Sequence, residues 1–335
     1  MKKIVCAFLA LLVMASCVVM PCFAAVKVDE GYDYTRFKDD KIVLNVYNWG
    51  QYISDGSDGS LSVEKEFEDL TGIEVNYTTY DTNESLYSKM KSGGADYDVV
   101  IPSDYMIGKM VKEGMLEKLD TKNIPNISKI GKEYMGLDYD KNNEYSVPYT
   151  WGVVGIVYNT KMVTKPVDSW NIMWDKDYAG KILMFNNSRD AFSIASKKLG
   201  LPMNPKNQEE IDAAAQALKE QKNLVQAYVM DEIFDKMEGG EAAIAFAIPK
   251  EGTNYFVDAM CIPKGSKNKQ AAEMFINFMC ETEIALANNE YIGYSTPQTE
   301  AISQLPEELK NNPIAYPAPE VMANTETFTV LSDEI

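Results

Sequence analysis

From Ile42 onward, short apolar-alternating runs take turns with amphipathic ones, and that alternation restricts the possible fold more than any other feature of the chain. Residues 42–49 alternate and end in N-W-G-Q-Y. Residues 61–70 place Val63, Phe67 and Leu70 on one helical face, with Gly72 just beyond. Residues 73–80 alternate again through Ile73, Val75, Tyr77 and Thr79. Asn83 is positioned to cap a helix over 84–91, 97–101 is a short apolar strand, and Asp104 is positioned to cap a helix over 105–113. A β-α-β-α-β-α order predicts a parallel sheet covered by helices, with ligands bound beyond the carboxyl ends of its strands. Three loops then share one rim: Trp49-Gly50-Gln51-Tyr52, Asp81-Thr82, and Pro102-Ser103-Asp104 followed by Tyr105. Aromatic faces such as Trp49 and Tyr52 at a strand end suit an organic cation, at roughly 0.5–2 kcal/mol per contact. A Trp at such a place is more often core.

The chain crosses to another unit near 145–151. The pattern then predicts a strand at 152–159, a helix carrying Trp170 and Trp174, and a strand at 181–185. N-N-S-R-D (186–190) opens a helix running to Leu199. Asp190 falls in its first turn, where complementing the helix dipole alone contributes about 0.3–1 kcal/mol. A helix at 208–221, strands at 225–229, 242–247 and 255–262, helices at 269–280 and 282–288, and a turn at 293–297 complete the pattern. Asp258 is the most unusual acid, flanked by Phe256, Val257, Ala259 and Met260. A carboxylate in an apolar strand is costly unless paired. Either it points into a cleft and meets a cation, or a nearby lysine satisfies it.

Residues 1–24 read as an export signal: Lys2 and Lys3, an apolar run, Pro21, then Cys22-Phe23-Ala24. Lipid attachment at Cys17, in M-A-S-C, is the second possibility and would tether the chain to the outer face of a membrane. Cleavage removes two lysines and no acid, taking the formal charge from −18 to −20. Such a surface repels nucleic acid and keeps an exported protein soluble. Cys261 and Cys280 are then the remaining cysteines, both among apolar neighbours, and read as buried free thiols. The absence of histidine removes Ser-His-Asp and Cys-His catalysis and His-ligated zinc. Arginine occurs only at Arg36 and Arg189, few for a binder of phosphate or carboxylate.

Seven ordered segments carry a resemblance: V-Y-N-W-G-Q-Y (46–52), F-E-D-L-T-G-I-E-V-N-Y (67–77), Y-D-V-V-I-P-S-D-Y (97–105), Y-S-V-P-Y-T-W-G (145–152), N-N-S-R-D-A-F (186–192), F-V-D-A-M-C-I-P (256–263) and I-G-Y-S-T-P (292–297). From about Lys41 to about Pro297 the chain resembles the extracytoplasmic polyamine-binding proteins of spermidine/putrescine ABC transporters. The resemblance implies an α/β, type II periplasmic-binding-protein fold, two lobes around a hinged ligand cleft. One lobe would hold 38–147 plus 257–300, the other 148–256 plus 301–335. It implies no catalytic residue, metal or cofactor. It implies a monomer that takes putrescine or spermidine and delivers it to permease subunits with their ATPase. Carried over by position, Trp49, Phe256 and Tyr294 match aromatic walls, beside Tyr52 on the same loop. Ser103 and Tyr105 match contacts from the first lobe, Asp190 a carboxylate from the second, and Asp258 the acid that meets a ligand nitrogen. Asn187 falls where spermidine binders can carry a second acid. Each buried ammonium needs a carboxylate or its equivalent, which agrees with this set.

Three departures accompany it. Gln51 stands where an acid is usual. The stretch at 241–252 is shorter than in relatives by roughly 15–20 residues, about the length of one helix and its connection. The chain stops at Ile335, where relatives add a helix. Rival readings are a binder of ferric iron or thiamine on the same fold, a binding-impaired variant, and an enzyme using Asp190 and Asp258 as acid and base. The last lacks an activated nucleophile and a phosphate-cradling glycine loop.

Overall fold

The computed structural model describes residues 26–93, 96–230 and 244–331. The expected export signal with Cys17, and residues 241–243 of the short stretch, lie outside them. The expected alternation is present: β1 (Val43–Trp49) lies between β2 (Glu74–Tyr80) and β3 (Val99–Val100), parallel to both. The connecting helices are α1 (Val63–Thr71), α2 (Asn83–Lys91) and α3 (Asp104–Lys112). α1 buries Val63 and Phe67 and ends on Gly72, whose φ of 71° is a left-handed conformation that favours glycine. Phe67 meets Phe275 and Phe278 edge-on at 5.1 and 5.3 Å, which joins α1 to α6 (Lys269–Met279).

The caps fall one residue earlier than the pattern predicts. Thr82, not Asn83, caps α2 through a reciprocal box with Ser85, and Ser103, not Asp104, precedes α3. Asn83 is free for another task because Thr82 and Ser85 already satisfy the helix end.

The sheet is mixed rather than wholly parallel. β9 (Thr253–Cys261) enters antiparallel beside β3, with Val100 opposite Cys261. β4 (Ser146–Val153) pairs antiparallel with β9 from Ser146 opposite Cys261 to Val153 opposite Tyr255, with an irregularity between Pro148 and Thr150. These two long strands carry the chain out of the large sheet. Cys261 and Cys280 are buried and free, as expected.

Beyond β4 and β9 lie two separate pairs. β5 (Ile156–Asn159) is antiparallel to β8 (Ile244–Ala247), and β6 (Ile182–Phe185) is parallel to β7 (Val225–Val229). The single strand predicted at 152–159 is therefore two, broken at Val154 and Gly155. The Trp-rich helix is a short 3-10 turn, Trp170–Trp174, with Trp170 buried and its Nε1 donating to Gly252 O at 2.9 Å. α4 (Ser188–Lys198) and α5 (Gln208–Gln221) cover this part, whose core is Val154, Ile156, Trp170, Met184, Ala191 and Ile194. After α7 (Thr282–Ile292) and α8 (Thr299–Gln304) the tail returns, and β10 (Thr325–Glu326) lies parallel to β9 at Thr253–Asn254.

Candidate ligand-binding cleft

A cleft of about 950 Å³ opens where β4 and β9 leave the large sheet. Successive side chains of a strand alternate between faces, so Asn254, Phe256 and Asp258 of β9 point the same way, and all three line the cleft. Phe256 crosses β4 at Gly152, where a Cβ would stand 2.8 Å from the ring; the absent side chain is what admits the aromatic. The Phe256 ring meets Tyr294 edge-on at 5.9 Å, and Tyr294 meets Tyr52 at 5.4 Å. Trp49, at the end of β1, is mostly buried against Tyr80 at 4.6 Å, yet also lines the cleft. It is both core and wall. Its Nε1 has no hydrogen-bond partner among the described residues.

Asp258 is 4% exposed, and no lysine or arginine among the described residues pairs with it. Its Oδ2 accepts from the Tyr52 hydroxyl at 2.5 Å, and the Thr150 hydroxyl in turn contacts Tyr52 at 2.7 Å. Burial and the neighbouring acid push Tyr52 far above its ordinary pKa, so it remains a donor. Oδ1 of Asp258 has no hydrogen-bond partner among the described residues. Burial raises the Asp258 pKa to about 6, against the pull of the Ser103 and Tyr52 hydroxyls. Of the two alternatives left open by the sequence, the structure favours the first: the acid faces a cleft, and no lysine among the described residues satisfies it.

Asp190, in the first turn of α4, also lines the cleft. Burial raises its pKa to about 7; the long contact from Asn254 Nδ2 (3.5 Å) lowers it and the Asp258 charge adds to the rise. Asn187 caps α4, its side-chain oxygen accepting from the backbone N–H of Arg189 at 2.9 Å, so that oxygen is occupied although the residue lines the cleft. On the opposite wall, Asn83 donates to Ser103 Oγ (3.0 Å) and Tyr105 OH (3.2 Å) and accepts from Ser103 N (3.2 Å). Tyr105 OH donates to Glu84.

Nine of the ten predicted site residues therefore line this cleft or its wall, and Gln51 does not. Gln51 is exposed, has φ 47° and lies outside the cleft lining. The left-handed turn directs the loop so that Tyr52, not Gln51, faces inward. Asp81 is likewise exposed and outside the lining. Sequence reasoning missed Asn254 and Thr150, and placed Asp104 on the rim only as part of its loop. The period-2 pattern through Asp258 and Phe256 extends to Asn254. Asp104 is fully buried, one oxygen bound to the Tyr105 N–H at 2.6 Å and the other without a partner among the described residues. Burial pushes its pKa well up.

Comparison with known proteins gives a consistent result. A family model described as bacterial extracellular solute-binding protein matches residues 97–322. The chain is similar to the spermidine/putrescine-binding periplasmic protein of Escherichia coli, at 36% identity over 86% of this chain and 87% of that one. It is similar to the putrescine-binding periplasmic protein SpuD of Pseudomonas aeruginosa, at 30% over 86% and 87%. Among solved structures it resembles the spermidine/putrescine ABC transporter substrate-binding protein PotD of Streptococcus pneumoniae, with a TM-score of 0.72 and 35% identity, covering 87% of this chain and 94% of that one.

Proposed function

Because the chain belongs to the bacterial extracellular solute-binding proteins and shares their two-lobed type II fold, we propose that it captures a polyamine, putrescine or spermidine, and delivers it to an ABC importer. The observation that carries this reading is a pair of acids in one cleft, Asp258 buried and Asp190 half-buried. Both line the cleft beside aromatic walls and lack an ion-pair partner among the described residues. Removing carboxylates from water without a counter-charge is costly, and a cationic guest supplies what is missing. Trp49, Tyr52, Phe256 and Tyr294 border the methylene chain, while Ser103, Tyr105 and Asn187 line the polar margins. Gln51 stays at the rim. In this proposal the lobes are 38–147 plus 257–300 and 148–256 plus 301–335, hinged where β4 and β9 cross, and closure over the ligand dries the site. The receptor acts outside the cytoplasm, free or tethered through Cys17, as a monomer that meets permease subunits and their ATPase. No catalytic step is proposed: the acids hold the ligand and transform nothing.

One observation favours a second reading, a variant with impaired binding. Among the described residues, the second lobe's strands form two separate pairs rather than one sheet. Calorimetric titration of the protein lacking residues 1–24 with putrescine, spermidine and 1,4-butanediol decides between them. The receptor reading predicts heat from at least one amine and none from the diol. Heat from neither amine would leave the impaired variant.

A further inference from the structure

Arg189 is one of two arginines in the chain and stands in the first turn of α4 beside Asp190. It is largely removed from water, and Glu84, Asp104 and Asp190 all act on its charge. A guanidinium in such surroundings ordinarily takes a carboxylate in a forked pair. Here both hydrogen bonds of Nη2 go to neutral oxygens, Asn204 Oδ1 and Thr329 O, each at 3.1 Å. Its guanidinium carbon sits against two rings, 4.6 Å from the Phe328 centroid and 5.2 Å from that of Tyr105.

The tail makes this arrangement. After β10 joins β9, Glu326 pairs with Lys197 of α4. Asn204 then holds the backbone at two points: its Nδ2 donates to Thr327 O and its Oδ1 accepts from Thr329 N, both at 2.9 Å. Between those points Phe328 turns inward, 4% exposed, and meets Tyr105 edge-on at 5.6 Å. Val330 packs beside Gly108 of α3. The tail thus clamps α4 to α3 and closes a pocket around one cation at the margin of the cleft.

We infer that Asn204, Phe328 and Thr329 are positioning residues that detain Arg189 away from the cleft acids, so that those carboxylates stay open to a cationic ligand. The functional consequence rests on the polyamine reading; the detention itself does not. An intramolecular guanidinium on Asp190 would compete with an incoming ammonium, and a site for cations cannot tolerate its own cation in place. Cation–π faces and carbonyl oxygens hold the guanidinium without spending an acid on it.

The test uses Phe328→Leu, which keeps the apolar bulk and loses the ring face, Arg189→Gln, and the two combined. Thermal melting and near-UV circular dichroism establish that each is folded. Two readouts follow: carboxyl titration of Asp190 by NMR without ligand, and calorimetric affinity for putrescine. Phe328→Leu is expected to lower the Asp190 midpoint, as Arg189 turns onto the acid, and to weaken putrescine about tenfold. Adding Arg189→Gln is expected to return both to the wild-type level or beyond. A double variant that binds as poorly as Phe328→Leu, or an Asp190 midpoint unmoved by Phe328→Leu, overturns the inference. Should the wild type bind neither polyamine, the polyamine reading fails, and the NMR titration still decides whether Arg189 is detained.

Discussion

The two lobes solve the same problem with unequal means. The large sheet runs β2-β1-β3-β9, with β4 alongside β9, and α6 is buried almost entirely against it. Its core includes Phe67, Phe275 and Phe278, each without exposed surface. Among the described residues, the second lobe has two separate strand pairs and two small core clusters, one around Trp170 and Met184 and one of Ala195, Ala214 and Ala217. A two-stranded pair is marginal on its own, so this lobe depends on α4, α5 and its connections through β4 and β9. Among the described residues, eight of the nine large apolar side chains left exposed belong to it, Val157, Met162, Leu199, Tyr228 and Ile244 among them. The lesson is a division of labour: one lobe is a rigid wall holding Asp258, and the other, which presents Asp190, is the softer partner.

The contrast can be broken by mutation. The largest effect belongs to the rigid lobe: Phe67→Ala should cost about 3–5 kcal/mol in denaturant unfolding, because three interlocked rings cannot collapse into the gap. Ile194→Ala in the second lobe should cost less, about 2–3 kcal/mol, because its loosely held surroundings relax. The reverse order would end the claim that the lobes differ in rigidity.

The second effect concerns pH. The folded Asp258 pKa, about 6, lies above its unfolded value, so the fold favours the protonated acid. That stability is fully present below the unfolded pKa and is lost as pH rises through about 6; Asp190 adds a similar loss through about 7. Asp258→Asn imitates the protonated form. Without ligand it should match the wild type near pH 4 and exceed it above neutrality by on the order of 3 kcal/mol. Equal stability at all pH values would mean the acid is not strained.

Smaller effects sharpen the picture. Amides of β6 and β7 should exchange with solvent faster than those of β1 and β2 in hydrogen-exchange measurements, since local opening follows the weaker packing. Ile244→Thr should change stability by no more than about 0.5 kcal/mol, because the side chain is already 48% exposed.

Much of the rigid lobe is legible in the chain, because its strands and helices follow local periodicity. The errors share a cause, which is distance. Asn83 is a good cap by local rules, but Thr82 takes that role and Ser103 and Tyr105 recruit Asn83 from 20 and 22 positions away. The antiparallel entry of β9 brings Cys261 to Val100, a pairing no local pattern encodes. Of the candidate site, the residues alone mark Asp258, an acid in an apolar strand, and Trp49 and Tyr52, which flank one turn; the other positions came from the family resemblance. Gln51 misled because its turn geometry, not its neighbours, sets its direction. The tail's return to Arg189 spans 140 positions and leaves no local signal.

In the proposed function, Asp258 is buried and without an ion-pair partner among the described residues so that it can receive an ammonium group. Calorimetric titration of wild type and Asp258→Asn with putrescine near pH 6.5, in two buffers of different ionisation enthalpy, tests this. The wild type is expected to bind and release protons, because a bound cation lowers the raised carboxyl pKa values, and Asp258→Asn is expected to lose the binding heat. Binding of equal affinity in both proteins, or binding by the wild type with no proton release, would contradict it.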